Sequence, residues 1–204
     1  MALAVAWLDE TEPVPEAQFT LGAAAKWHAW TEQDPEVEWC DDIVATVTSL
    51  CLINPLPVSV IQSGIGGGYL TRRLLGCESL GAWIGFEADD VLRQAAFEGV
   101  EALDVDPLSF YVSPMISPAS PKIGATTPAN VTILDSAMAW RCTELEWWFR
   151  VARPGQFLIV HDTDPAASKD SRLYRRAVER NLSGRPCHVE WFDNPRGSAM
   201  ISPK

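Results

Sequence analysis

Three glycines, Gly64, Gly66 and Gly68, follow a short β-rich apolar run at 57–61 and precede a helical stretch at 69–77. A glycine turn between strand and helix lets a ligand come close to the backbone and sets it at a helix N-terminus. Glu87 adds weight, because it closes the next strand-like run (AWIGF, 82–86), where an acid can accept hydrogen bonds from both hydroxyls of a ribose. A tight turn followed by a solvated, helix-capping acid would use the same residues. Further along, Asp135 ends the run VTIL at 131–134, and His161 and Asp162 end the run FLIV at 157–160. Of the three histidines, only His161 falls at this edge. Imidazole suits a general base toward a hydroxyl near neutral pH, although a histidine at a strand end also serves to satisfy a loop. The alternation of a strand would turn it away from Asp162.

The elements that must position these residues follow from the pattern. Asp34-Pro35 starts a helix whose stripe is Val37, Cys40, Ile43, Val44, Val47, Leu50 and Cys51, and Asn54-Pro55 ends it. An earlier helix is expected over 16–30. Asp89 or Asp90 caps a helix to about residue 97, with Gly99 as its stop. A strand follows at 108–112, and four prolines within 113–130 leave no room for an ordinary crossover helix. Helices are expected over 137–152 and 168–182, and strand-like runs at 188–192 and 198–201 flank a turn at 194–197. Apolar strands alternating with helices call for an α/β fold. Its central sheet is mostly parallel, with helices on both faces and a C-terminal antiparallel hairpin. With 204 residues, one domain with an appendage is expected: a helical N-terminal extension at 1–55 packed on the core, and an α/β domain at 56–204. Ligands of such sheets sit at the carboxyl ends of the strands, where Gly64 to Gly68, Glu87, Asp135, His161 and Asp162 fall.

From about residue 56 to its end the chain resembles the class I S-adenosylmethionine (SAM)-dependent methyltransferases. The run VSVIQSGIGGGY at 58–69 looks like the family's first motif, Glu87 like its ribose-binding acid, VTILD at 131–135 like its fourth strand, and RPGQFLIVHD at 153–162 like its proline-glycine turn and fifth strand. The resemblance implies a Rossmann-like methyltransferase fold and SAM as cofactor, held by Gln62, Gly64, Gly66, Gly68, Glu87 and Asp135. Gln62 stands where the family usually has Asp or Glu, and Ser113-Pro114 where its adenine-side motif is expected. Asp135 and Asp162 resemble the divalent-metal site of small-molecule O-methyltransferases, which implies Mg²⁺ on these two carboxylates; no third ligand is clear, and Asp164 is a candidate for it. The implied function is methyl transfer to a small-molecule or sugar hydroxyl, with His161 and Asp162 as catalytic residues. A catalytically degenerate module serving binding or assembly is the alternative that Gln62 and the proline-rich segment favour. A nicotinamide-dependent oxidoreductase ranks last, since the third glycine of its fingerprint would fall at Tyr69.

Composition narrows the partners. A formal net charge of -11 repels a phosphate backbone, and the end of the fourth strand reads Asp135-Ser-Ala-Met138 rather than the two prolines and aromatic of nucleic-acid amino-methylating enzymes. The only Pro-Cys pair, Pro186-Cys187, lies by the tail hairpin, so a cytosine-C5 nucleophile is also disfavoured and a packed thiol expected. Five cysteines without paired spacing read as reduced thiols in a cytoplasmic protein. The charge-free stretch at 43–71 is broken by Asn54, Pro55, Pro57 and the glycines, so no membrane span is expected. Of nine tryptophans, Trp7, Trp27, Trp30 and Trp39 lie in the N-terminal segment. They could form an aromatic lid over a substrate, or a surface for a protein partner or a second copy. Trp147 and Trp148 are expected in the core, and Arg172, Arg175, Arg176 and Arg180 on a solvated face.

Overall fold

The apolar runs become neighbouring strands of one sheet. In a computed structural model, which describes residues 36–66, 68–77, 80–87, 89–101, 110–113 and 130–204, the strands are β1 (Val58–Ser63), β2 (Leu80–Phe86), β3 (Phe110–Ser113), β4 (Val131–Leu134), β5 (Phe157–His161), β6 (Cys187–Phe192) and β7 (Ser198–Pro203). Their order is β3-β2-β1-β4-β5-β7-β6. The first five in that order run parallel, and β7 lies antiparallel to both β5 and β6. The helices are α1 (Glu36–Ile53), α2 (Tyr69–Leu75), α3 (Asp90–Glu101), α4 (Met138–Val151) and α5 (Lys169–Leu182). Among the described residues no helix is long and apolar enough to cross a membrane.

The period of two along the strands sorts their side chains into two cores. Val58, Val60, Ile133 and Ile159 face α1 and α2, packing with Ile43, Val47, Leu70 and Leu74. Leu134, Leu158 and Val160 face the other way onto Leu145, Trp148, Leu173 and Tyr174 of α4 and α5. Burial on both faces is why β4 and β5 read as nearly continuous apolar runs, Thr132 being the exception before His161. The stripe of α1 is part of this interior: Trp39, Cys40, Ile43, Val47, Leu50 and Cys51 are all buried. Trp147 and Trp148 fill the second core, as their sequence context suggested, and Cys187 packs half-buried at its edge.

Most boundaries shift by one or two residues, among them the third strand, expected at 108–112 and found at Phe110–Ser113; the end of α3 differs more. Asp89 does cap α3, its Oδ1 accepting from the backbone N–H groups of Val91 (2.8 Å) and Leu92 (3.0 Å), but the helix runs through Gly99 to Glu101. A stopping glycine takes the left-handed conformation; Gly99 stays helical, at a cost of about 1 kcal/mol relative to alanine. The helix expected over 16–30, the proline-rich segment and Trp7, Trp27 and Trp30 lie outside the described residues.

Candidate functional site

Register brings the candidate residues to one level. Ser63 pairs with Phe86 on one side and Leu134 on the other, and Leu134 pairs with Val160. The residues that follow, Gly64, Glu87, Asp135 and His161, therefore leave the sheet side by side at its carboxyl edge. This is the switch point of the fold, since β1 has β2 on one flank and β4 on the other. A cavity of about 330 Å³ opens there, bordered by Trp39, Gly66, Glu87, Asp135, His161 and Arg196.

The glycines are there for different reasons. Gly64 has φ +80°, and a Cβ on it would lie 2.3 Å from the carbonyl oxygen of Asp135, so the turn and the end of β4 touch. Gly66 has φ +55°, and among the described residues nothing lies within 4 Å of where its Cβ would be; this position leaves open space of the kind a ligand fills. Glu87 holds the turn in place. Its Oε2 accepts from the N–H groups of Ile65 (3.2 Å) and Gly66 (3.0 Å), and its Oε1 from that of Asp89 (3.0 Å). A carboxylate offers about four acceptor sites. Three are taken in this arrangement, which leaves about one for a ribose hydroxyl rather than the two expected from sequence. Burial pushes the Glu87 carboxyl above its ordinary range, and the three backbone N–H groups pull it back only in part.

Gln62 is buried and bonded inside the fold. Its Oε1 accepts from Thr71 Oγ1 (3.0 Å) and Trp83 Nε1 (3.3 Å), while Nε2 donates to the carbonyl of Gly64 (3.3 Å). An amide, unlike a carboxylate, can make both kinds of bond. This explains the departure from the family's acid: Gln62 ties β1, β2 and α2 to the glycine turn.

At the ends of β4 and β5 the sequence reading missed the central residue. Arg141, on the first turn of α4 and buried, reaches across both strands. Its Nη2 donates to Asp135 Oδ1 (2.7 Å), and its Nη1 to Asp162 Oδ2 (2.6 Å) and the carbonyl of His161 (3.1 Å). Its Nε donates to the carbonyl of Ser136. Behind it Glu144, fully buried, accepts from Ser63 Oγ and from Ser136 Oγ (2.7 Å), tying β1 and the loop after β4 to the same helix. A signal was present in the sequence: Arg141, Glu144, Leu145 and Trp148 share one helical stripe, and two charges on an apolar stripe must find partners in the interior.

His161 is 2% exposed and stacks on Trp39, with ring centroids 3.9 Å apart. Its Nδ1 lies 3.1 Å from Asp135 Oδ1. A carboxylate only accepts, so Nδ1 donates, and Nε2 is a buried atom with no hydrogen-bond partner among the described residues; in the neutral tautomer it carries the lone pair of the ring. Nor does strand alternation part His161 from Asp162. Asp162 has φ +61°, which swings its side chain back to leave Oδ1 3.9 Å from His161 Nδ1; Asp is among the few residues that tolerate this backbone. Burial raises the Asp162 carboxyl, but Arg141, His161 and Arg196 outweigh it and hold it below the usual carboxylate range. Arg196 Nε lies 2.5 Å from Asp162 Oδ1.

Asp135, Asp162 and His161 come close enough together to share an ion. Asp164, the candidate third ligand, does not join them: its Oδ1 accepts from the N–H of Ala166 (2.9 Å), and its own N–H donates to the carbonyl of Arg196 (2.8 Å). Nor does the donor set fit Mg²⁺. A guanidinium already lies on both carboxylates, and Mg²⁺ requires free hard oxygens at short range.

The sequence matches no protein-family model and no curated protein. Its fold matches solved structures. The O-methyltransferase of Bacillus cereus in complex with SAH aligns with a TM-score of 0.68 at 17% identity, over 90% of this chain and 88% of that one. The SAH-bound methyltransferase of Podospora anserina aligns with a TM-score of 0.68 at 9% identity, over 100% of this chain and 94% of that one. An rRNA methylase of Streptococcus thermophilus aligns with a TM-score of 0.58 at 12% identity, over 78% of this chain and 94% of that one. Identities this low speak for architecture, and the chain has the Rossmann-like fold of the class I SAM-dependent methyltransferases.

Proposed function

We propose that this protein transfers a methyl group from SAM to a hydroxyl of a small molecule. The observation that carries the reading is His161, buried at the cavity wall with Nδ1 on Asp135 and Nε2 unpartnered. SAM, when bound, supplies an electrophilic methyl group on its sulfonium. The chain's own contribution is placement and proton transfer. Gly66 and the remaining acceptor site of Glu87 receive the nucleoside end, and the cavity, at about 330 Å³, is within the size range of cofactor sites. At the other end His161 Nε2 takes the proton of the acceptor hydroxyl as its oxygen attacks, and Asp135 steadies the charge that forms on the ring. Asp162 acts through Arg141, as a positioning residue. The solved structures of similar fold that carry SAH support the choice of cofactor. The net charge of -11 argues for a small acceptor over nucleic acid, and five cysteines outside any disulfide suit a reducing, cytoplasmic setting.

Calorimetric titration with SAM and with SAH tests the reading, followed by methyl-transfer assays on hydroxyl-bearing small molecules. His161→Gln should lower turnover roughly 10²- to 10⁴-fold while leaving SAM affinity near that of the parent. A second reading has its own support: Gln62, at the position where the family carries an acid, spends three of its four hydrogen-bonding sites within the fold. A binding module of this fold would take up SAM or SAH without turnover, and His161→Gln would then change nothing measurable. Failure of both ligands to bind refutes the cofactor assignment.

A further inference from the structure

We propose that Arg141 is the resident cation of this site and stands in the place of a divalent metal ion, so that the acceptor is held through a single oxygen and not chelated through two. Three observations meet here. First, Asp135, His161 and Asp162 have the ligand types and the spacing of a cation site. Second, the guanidinium fills it: Nη2 on Asp135, Nη1 on Asp162 and on the carbonyl of His161, and Nε on the carbonyl of Ser136. Its planar fork satisfies two carboxylates and two carbonyls at once, which a hydrated ion would do only after losing water. Third, the charges already cancel. Asp135 and Asp162 face Arg141 and, at the rim, Arg196, so an incoming divalent ion would find two cations for two anions. Arg141 is not a mobile surface group that could step aside, since it is fixed on α4 and its side chain is 7% exposed.

The chemical consequence concerns the substrate. A metal ion in such a site would bind two neighbouring oxygens of the acceptor and favour loss of a proton from one of them. With Arg141 in its place that work falls to His161, whose base needs only one hydroxyl. The O–H proton moves to Nε2, the O–CH₃ bond forms, the S–CH₃ bond breaks, and its electron pair stays on sulfur. This consequence rests on the methyl-transfer reading above; occupation of the metal position by Arg141 does not.

Mn²⁺ is the probe, because it takes the same hard oxygen ligands as Mg²⁺ and is visible by electron paramagnetic resonance. Titrating the parent protein with Mn²⁺, without SAM or acceptor, should reveal no stoichiometric site up to millimolar metal. Arg141→Ala, with the guanidinium removed, should gain a one-to-one site that is lost again in Arg141→Ala combined with Asp162→Asn. Should Arg141→Ala fail to fold, Arg141→Met fills the space of the stem and serves the same purpose. Stoichiometric Mn²⁺ binding by the parent, abolished by Asp162→Asn, overturns the proposal. So does a folded Arg141→Ala or Arg141→Met protein that gains no site, since the carboxylates would then not form a cation position at all. SAM binding measured on the same samples reports on the methyl-transfer reading separately.

Discussion

Replacing Asp162 by Asn isolates the electrostatics of the site from its shape. Asn tolerates the left-handed backbone of this position, φ +61°, nearly as well as Asp, so no new strain enters. The charge is what goes. Asp162, with its side chain 4% exposed, holds Arg141 Nη1 at 2.6 Å and Arg196 Nε at 2.5 Å. Removing one partner of a buried ion pair typically costs about 3–5 kcal/mol. The amide oxygen can still accept one hydrogen bond from Arg141, which returns about 1 kcal/mol. A net loss of about 2–4 kcal/mol follows, or a melting temperature about 5–15 °C lower for a domain of this size. Urea unfolding at neutral pH and thermal melts followed by circular dichroism measure it. The pH dependence carries the sharper test. Since the folded-state pKa of Asp162 is depressed, its stabilisation is fully present above the unfolded value of about 4. It is lost as pH falls through the depressed folded value. The gap between parent and variant should therefore be constant at neutral pH and close on acidification below about pH 4. A variant that melts within about 2 °C of the parent, or a gap that does not close in acid, would sink the assignment of Asp162 as a buried counter-ion.

Other substitutions probe the remaining parts. Glu87→Gln should weaken SAM binding about tenfold or more, as charged hydrogen bonds contribute roughly 1.5–3 kcal/mol each: its amide N–H₂ would face the N–H groups of Ile65 and Gly66 or that of Asp89, and calorimetry reads the change. Gly64→Ala should fail to fold or lose several kcal/mol, because its Cβ would meet the Asp135 carbonyl at 2.3 Å. Gly66→Ala has room and should lose only about 1 kcal/mol of stability to its positive φ, yet bind SAM more weakly. A Gly64→Ala protein as stable as Gly66→Ala would show that the turn does not press against β4.

What was legible in the sequence was what local pattern encodes. The runs at 131–134 and 157–160 are apolar on every residue but Thr132 because both faces of the sheet are covered, and the chain had to leave the sheet at Asp135, His161 and Asp162. Register then placed these residues together, so the neighbourhood of the site could be named from strand ends alone. The bonds within it could not. Arg141 lies on a helix and meets Asp162 across a sequence separation of 21 residues, a relation that only the packing of α4 against β4 and β5 creates. Gln62 looked like a weakened ligand, when its amide is what three neighbouring elements require at once. Asp162 looked turned away from His161, because strand alternation says nothing about the residue at which a strand ends.

These bonds divide the cavity into two electrostatic halves. At the end that the proposed reading gives to the acceptor, two carboxylates meet two guanidinium groups, so the field is spent locally beside His161. At the end that the same reading gives to the cofactor, Glu87 is held by backbone N–H groups, with no cation on its carboxylate among the described ion pairs. Backbone dipoles only partly offset burial there, and the raised pKa of Glu87 is the measure of it. The sign is opposite to that of Asp162: a carboxyl raised on folding contributes stability below its unfolded pKa and loses it as pH rises through the folded one. The ionised form of Glu87 is therefore disfavoured by folding, a cost of the kind that proteins retain where a ligand completes the environment. A hydroxyl donated to its remaining acceptor site would relieve that penalty, so the nucleoside end should bind tighter as Glu87 ionises, while the acceptor end, already neutral, should leave cofactor affinity unmoved by His161→Gln.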